Sequence, residues 1–234
     1  MTSTRSCVRA AATLAVGAVT SLVCSTGADA AITDFYETFA SGAQNWRNSN
    51  GAAILNWTAS GGPDGGAYVT SVFNLSATSA GGFPPTVIRA QSNFGSSGGG
   101  YVGNWIAAGV TGVSFQFRHN LSEAITVTGR FATPVNNPGA SVVSSITVAP
   151  NTWTLVSFDL REGSPDFVSL GGGTYAGIFS NIGNMQLGFT VPAPLAGQNI
   201  DASFDLTNFA VVPTPASAAV GLLAAAGLRG RRRR

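Results

Sequence analysis

The chain has 234 residues, of which 44% are hydrophobic and only 9% charged, and its formal net charge is +2 at pH 7. Residues 31–210 hold five arginines against nine acidic residues, a balance of about −4, which argues against phosphate-backbone partners such as nucleic acid. Both cysteines precede that span, so it can form no disulfide. It contains a single histidine and no cysteine, which excludes the usual Cys/His zinc sites.

Residues 1–30 are typical of a secretory signal peptide. Arg5 and Arg9 precede an uncharged run over 10–23, and Ala28-Asp29-Ala30 offers small residues for cleavage before Ala31. An N-terminal membrane anchor is the alternative, but this run rises only about 21 Å as a helix, short of a hydrocarbon core of about 30 Å. Lipidation at Cys24 is disfavoured because no small side chains precede it.

The middle of the chain, residues 31–211, has the pattern of an all-β domain. Turn-forming clusters separate short apolar segments, and no convincing helical period occurs there. Ten segments are strand-like, and eight or nine strands among them fit a two-sheet antiparallel β-sandwich of the jelly-roll type. The strand-like segments are residues 33–39, 52–60, 67–74, 86–91, 112–118, 124–130, 141–148, 153–160, 185–191 and 202–211.

Alternation gives the clearest strand signals. Val113, Phe115 and Phe117 alternate with polar residues, as in a half-buried strand. The short connections predict two hairpins, one joining 112–118 to 124–130 and one joining 141–148 to 153–160.

Three loops interrupt these strands. Residues 60–66 form a tight glycine turn, whereas residues 92–103 and 163–184 are long and glycine-rich. The glycine-rich composition of the two long loops is typical of flexible segments, and ligand binding is the alternative interpretation.

The C-terminal residues 212–234 have three parts, which are Pro213-Thr214-Pro215, an apolar run over 216–228 and an arginine cluster. The cluster contains Arg229, Arg231, Arg232, Arg233 and Arg234. This arrangement resembles the PEP-CTERM sorting signal of bacterial exported proteins, except that Thr214 stands where that family usually has Glu. The resemblance implies a hydrophobic sorting helix, brief membrane anchoring and removal by an exosortase-like enzyme. A disordered basic tail is the alternative.

Short motifs in the middle resemble those of galactose-binding-like domains, including laminin-B-like and carbohydrate-binding jelly rolls. They are Tyr36-Glu37-Thr38-Phe39, Gly62-Pro63-Asp64-Gly65-Gly66, Asn151-Thr152-Trp153-Thr154 and Phe204-Asp205-Leu206. The resemblance implies a structural Ca²⁺ that joins the first strand to the last through Glu37 and Asp205. Asp64 is a further candidate ligand, although aspartate in such a turn often caps its own backbone.

Catalytic signatures are weak. The single match to G-x-S-x-G, at residues 95–99, lies in a glycine-serine run without the flanking strand and helix of a nucleophile elbow. Glycoside hydrolysis needs two carboxyl groups in one cleft, and the sequence cannot place such a pair. Aromatic faces with polar partners would suit sugar binding. The candidates for it are Trp57, Tyr101, Trp105, Arg118, His119 and Trp153, although aromatic residues of β-sandwiches are more often core.

These observations predict a non-enzymatic binding or adhesion protein that passes through the secretion machinery to the cell surface or extracellular matrix, where it associates with polysaccharide. An extracellular glycoside hydrolase or other polysaccharide-active enzyme and a purely structural matrix protein are the alternatives.

Overall fold

The computed structural model describes residues 32, 34–169 and 172–213, which form two antiparallel β-sheets packed face to face. The predicted all-β sandwich is therefore confirmed. Over these residues, no helix is long and apolar enough to cross a lipid bilayer. The predicted signal peptide and most of the predicted sorting signal, including Thr214, Pro215 and the arginine cluster, lie outside the described residues.

Eleven strands make up the two sheets of the described chain. The six-stranded sheet has the order β2-β3-β11-β5-β8, with β1 paired to β11, and the five-stranded sheet has the order β4-β10-β6-β7-β9. The strands are β1 (Phe35–Glu37), β2 (Asn56–Thr58), β3 (Tyr68–Asn74), β4 (Thr86–Gln91), β5 (Val110–His119), β6 (Ile125–Ala132), β7 (Gly139–Val148), β8 (Thr154–Asp159), β9 (Phe167–Ser169), β10 (Asn184–Phe189) and β11 (Asp201–Pro213).

The strand order is that of a jelly roll. Among the long strands, β3-β11-β5-β8 lie opposite β4-β10-β6-β7. The chain changes sheet between successive long strands except between β6 and β7, so the first and last long strands, β3 and β11, become neighbours. This crossing pattern closes both sheets around one core.

Both predicted hairpins are wrong. β5 pairs with β11 and β8, whereas β6 pairs with β10 and β7, so the segment between β5 and β6 passes from one sheet to the other. The connection between β7 and β8 also crosses between the sheets. The hairpin in this part of the chain joins β6 to β7. Loop length alone cannot distinguish a hairpin from an arch that spans a sandwich.

Alternation along the strands divides core from surface. On β5, Val113, Phe115 and Phe117 are buried, as the sequence predicted. On β11 the pairing register shifts between Thr207 and Ala210, so that Phe204 and Leu206 before the shift and Phe209 and Val211 after it are all buried. The irregularity shifts the alternation of side chains by one residue. The apolar side chains on both sides of it therefore face the core.

Aromatic rings fill much of the space between the sheets. Phe115 stacks on Phe209 with ring centroids 5.5 Å apart, and Trp46 meets Phe209 edge to face at 5.2 Å. Phe158 contacts both Phe115 and Phe131, so one chain of rings links the two sheets. Trp46 and the alternating phenylalanines of β5 therefore belong to the core.

The long loop predicted over 163–184 contains regular structure. It holds β9 and a short helix, α1 (Tyr175–Phe179), where the sequence predicted neither. The Thr174 hydroxyl accepts a hydrogen bond from the Gly177 N–H at 3.0 Å and caps α1, while Ile178 and Phe179 are buried. Tertiary packing stabilises this single turn of helix, which is too short to show a period in the sequence.

Candidate functional site

A groove of about 460 Å³ lies on the outer face of the five-stranded sheet. The segment 81–84, which precedes β4, forms one wall, and the outward side chains of β6, β7 and β10 form the floor. The lining residues are Gly81, Gly82, Phe83, Pro84, Thr86, Thr128, Gly129, Arg130, Gly139, Ser141, Val142, Val143, Gln186 and Gly188. This volume lies within the range of small-molecule and cofactor sites.

Gly188 allows the wall to approach the floor. A side chain at this position would collide with the Pro85 carbonyl oxygen and would lie 2.9 Å from Thr128 Oγ1. The pairing of β10 with β4 is irregular between Leu187 and Gly188, and Gly188 pairs with Thr86, the first residue of β4. Glycine at this irregularity therefore fixes the position of the wall.

The polar floor of the groove is held by hydrogen bonds to Asn136, which lies in the turn between β6 and β7. Arg130 donates from Nη1 to Asn136 Oδ1 and from Nη2 to the Asn136 carbonyl oxygen, both at 2.6 Å. Gln186 Nε2 donates to the same Oδ1 at 2.8 Å, and the Thr86 hydroxyl donates to Gln186 Oε1 at 3.3 Å. Asn136 has a φ of 65°, a conformation that asparagine tolerates well. The floor is therefore arranged before any ligand arrives.

Phe83 stands at the edge of the groove. It is 85% exposed, the highest value among the exposed large hydrophobic side chains that the structure describes. Burial in the core cannot account for a phenylalanine in this position, whereas an apolar ring beside a polar floor is suited to contact with a ligand.

A second cluster lies on the outer face of the six-stranded sheet, on β3, β5, β11 and the residue before β8. The Arg118 guanidinium lies over the Trp153 ring, 4.6 Å from its centroid, and 5.2 Å from the centroid of Tyr68. It forms an ion pair with Asp205 at 2.7 Å, and the other oxygen of Asp205 accepts a hydrogen bond from the Thr70 hydroxyl at 2.6 Å. The charged groups of this cluster therefore interact with one another.

The structure thus brings together two of the six sugar-binding candidates, Arg118 and Trp153. Trp57 lies apart from them on β2, is 43% exposed, and donates from its indole nitrogen to the Phe39 carbonyl oxygen at 2.7 Å. Tyr101 and Trp105 are buried in the core, where the Trp105 indole donates to the Tyr101 carbonyl oxygen at 2.7 Å.

His119, the sixth candidate, is also buried, with 1% of its surface exposed. Its Nε2 lies 3.1 Å from the Val148 carbonyl oxygen, and its Nδ1 accepts a hydrogen bond from the Leu121 N–H at 3.2 Å. These two contacts place the proton of a neutral ring on Nε2. Burial lowers the pKa of the imidazole below its usual range.

The three calcium candidates have separate surroundings. Glu37 accepts hydrogen bonds from the Phe39 N–H at 2.7 Å and from the Ser97 hydroxyl at 2.6 Å, while Asp205 is engaged by Arg118 and Thr70. Asp64 is exposed in its glycine turn. In the described chain, no three His, Cys, Asp or Glu side chains are grouped closely enough to hold a metal ion. Calcium binding by these residues stays a prediction.

The groove residues were missed by the sequence reasoning. Phe83 occupies the segment Gly81-Gly82-Phe83-Pro84-Pro85, and an aromatic ring between glycines and prolines is a signal of an exposed loop position. Arg130 and Gln186 carry no such signal, because their proximity depends on the pairing of β6 with β10.

No protein-family model and no curated protein matches the chain. Solved structures with a similar fold include the CBM22-1 and GH10 modules of xylanase 10B from Clostridium thermocellum complexed with xylohexaose. That match has 13% identity and a TM-score of 0.47, and it covers 78% of this chain and 29% of the xylanase chain. This chain therefore spans less than a third of that protein.

Two further structures are similar over most of this chain. A family 11 carbohydrate-binding module from Clostridium thermocellum, in complex with a mixed-linked tetrasaccharide, has 14% identity and a TM-score of 0.43 over 76% of this chain and 96% of its own. An exo-β-agarase has 11% identity and a TM-score of 0.46 over 80% of this chain and 25% of its own. These likenesses concern the fold of the chain.

Proposed function

We propose that this protein binds polysaccharide, and that the groove on the five-stranded sheet is the binding site. The observation that carries the proposal is the combination of the exposed Phe83 ring with a prearranged floor of hydroxyl, amide and guanidinium groups. A pyranose ring offers an apolar face and a rim of hydroxyls, so it needs both kinds of contact.

The polar groups of the floor can both donate and accept hydrogen bonds. Arg130 supplies donors only, Gln186 supplies both, and the hydroxyls of Thr86, Thr128 and Ser141 supply both. Because sugar hydroxyls also act in both roles, such a mixed set fits them better than a floor of one kind. Its fixed geometry lowers the entropy lost when a chain is bound.

Binding fits this groove better than hydrolysis does. Glycoside hydrolases use two carboxyl groups about 5 to 10 Å apart across the scissile bond. The described residues that line the groove include no Asp or Glu. We therefore propose a non-enzymatic role, and the alternative of a polysaccharide-active enzyme predicts turnover that a reducing-sugar assay would detect.

We expect Phe83→Ala and Gln186→Ala each to weaken binding to a retained polysaccharide by about fivefold, or about 1 kcal/mol, the scale of one aromatic or hydrogen-bonding contact. Affinity gel electrophoresis against a panel of neutral and acidic polysaccharides would measure this. Trp57→Ala and Trp153→Ala are the matched controls, because both remove a partly exposed aromatic side chain outside the groove.

Two results would count against this site. If the tryptophan variants weaken binding and the groove variants do not, the ligand binds elsewhere on the sandwich. If the unaltered protein binds no member of the panel, polysaccharide binding is wrong and a purely structural role in a matrix becomes the better explanation.

We further propose that the protein is exported and sorted to the cell surface or matrix. The support is the sequence of residues 1–30 and 212–234, which resembles a signal peptide followed by an exosortase-read tail. An exosortase-like enzyme and the secretion machinery are the implied partners, and the apolar run over 216–228 would hold the chain briefly in the membrane.

Mass spectrometry of the protein purified from its native cells tests this sorting proposal. We expect an N-terminus at Ala31 and the loss of the arginine cluster at residues 229–234. Replacing Pro213 and Pro215 with alanine should leave the tail attached, whereas a signal-peptide variant should leave the N-terminus uncut. An intact chain recovered from the cytosol would contradict export.

A further inference from the structure

A row of side chains crosses the outer face of the five-stranded sheet. Part of this row lines the groove, namely Gln186, Arg130 and Ser141, whereas Arg89 and Arg47 lie beyond the lining. In cross-strand register, Gln186 of β10 lies opposite Arg89 of β4 on one side and opposite Arg130 of β6 on the other. Ser141 of β7 lies opposite Arg130, and an isolated bridge places Arg47 opposite Arg89. We call Arg47, Arg89, Gln186, Arg130 and Ser141 the arginine row.

None of these three arginines is neutralised by a carboxylate. The described residues form two ion pairs, Arg118 with Asp205 and Arg161 with Asp159, and these use the other two arginines of the domain. The groove lining also lacks Asp and Glu among its described residues. The domain as a whole is acidic. The charged side chains of the arginine row, in contrast, are all positive.

The guanidinium groups are held in place by neutral partners. Arg89 Nε donates to the Ser49 carbonyl oxygen at 2.6 Å, and Arg130 uses Nη1 and Nη2 for Asn136. Arg47 lies over the Phe94 ring, 4.4 Å from its centroid, and donates from Nη1 to the Gly51 carbonyl oxygen at 3.1 Å. Since each guanidinium has five N–H donors, all three keep donors for another acceptor.

The arrangement concentrates positive charge at a partly buried position. Burial lowers the pKa of Arg89, and repulsion from Arg130 lowers it further. Burial also lowers the pKa of Arg130. Both groups remain charged at neutral pH, so an anion between them would relieve the repulsion and replace lost hydration.

We propose that the groove binds an acidic polysaccharide, whose carboxylate or sulfate groups are received by Arg89 and Arg130 while the sugar ring contacts Phe83. This inference rests on the proposed function and specifies its substrate class. Arginine is suited to the role because its planar donors match the paired oxygens of these anions. The acidic character of the rest of the domain would favour approach of the anionic chain to this face alone.

The test compares polymers that differ only in charge. Polygalacturonate and alginate would be measured beside their carboxyl-reduced forms, with a sulfated galactan as a separate probe, by isothermal titration calorimetry at low salt. We expect at least tenfold tighter binding of acidic polymers than of their reduced forms. That advantage should shrink as ionic strength rises, because exposed parts of the interaction are screened. A preference between the carboxylated and sulfated probes would identify the anionic group.

Arg89→Gln and Arg130→Gln should each reduce affinity for the acidic polymers at least fivefold. Arg89→Gln should leave affinity for the reduced polymers unchanged, because Arg89 lies outside the groove lining. Arg130→Gln should lower that affinity by a smaller factor than it lowers acidic binding, because Arg130 also donates from the floor of the groove. Arg161→Gln is the matched control, because it removes the same charge from an exposed position outside the row. Arg130→Lys should recover only part of the loss, since lysine keeps the charge and lacks the planar fork.

The outcomes separate this inference from the proposed function. Equal binding of acidic and reduced polymers, weakened in Phe83→Ala, would support polysaccharide binding and overturn the acidic preference. Acidic binding that survives both arginine variants would overturn the assignment to the row. No binding of any polymer would overturn both.

Discussion

Replacing Arg118 with alanine should lower the free energy of unfolding by about 3 kcal/mol, the lower end of the range for breaking a buried ion pair. The Asp205 side chain is only 8% exposed and would lose its cationic partner, keeping the Thr70 hydroxyl as its remaining side-chain hydrogen bond. Arg118 itself is 27% exposed, so water can replace part of the lost interaction. The contacts of the guanidinium with Trp153 and Tyr68 would be lost as well.

Urea unfolding at neutral pH would measure this effect, with Arg161→Ala as the matched control. Arg161 forms a similarly short ion pair with Asp159, but its side chain is 69% exposed, so we expect no measurable loss of stability. Arg118→Met would retain an aliphatic chain against the two rings and separate packing from charge. An Arg118→Ala variant as stable as Arg161→Ala would contradict the importance assigned to burial of this pair.

Lowering the pH from 7.5 to 5.5 should destabilise the protein by about 1 kcal/mol through His119. The folded pKa is below the unfolded value of about 6.5, so the unfolded chain binds the proton more readily as the pH falls. The stabilising contribution is therefore fully present above the unfolded pKa and is lost as the pH falls towards the folded one. Protonation at Nδ1 would also place a donor against the Leu121 N–H.

Unfolding free energies at several pH values between 7.5 and 5.5 would check this dependence. His119 is the single histidine of the chain, so few other groups change charge over that range. His119→Asn places an oxygen near the position of Nδ1 and should give a lower but nearly flat stability profile. A flat profile for the unaltered protein would show that His119 keeps its ordinary pKa.

The sequence predicted most strands because apolar residues alternate with polar residues along them and the apolar side chains face the core. Val113, Phe115 and Phe117 could be assigned to the core from alternation alone, and so could Met185, Leu187 and Phe189. The short helix α1 was missed because its stability comes from the burial of Ile178 and Phe179 and not from a repeated pattern.

The candidate site was predicted less well because the type of an aromatic residue does not show whether its side chain is buried or exposed. Tyr101 and Trp105 are core side chains, while Trp153 lies on the surface beside Arg118. Phe83, a residue of the commoner core type, is more exposed than any other large hydrophobic side chain that the structure describes. Composition gives no means of telling these cases apart.

The sequence by itself determined the β-strand content, the faces that the longer strands bury and the unusual composition of both ends. These properties depend on neighbouring residues along the chain. Only the tertiary structure decided which strands pair, and with that pairing it brought Arg89, Gln186 and Arg130 into one row. Residues so far apart in sequence become neighbours through hydrogen bonding between strands, and local patterns do not encode that pairing.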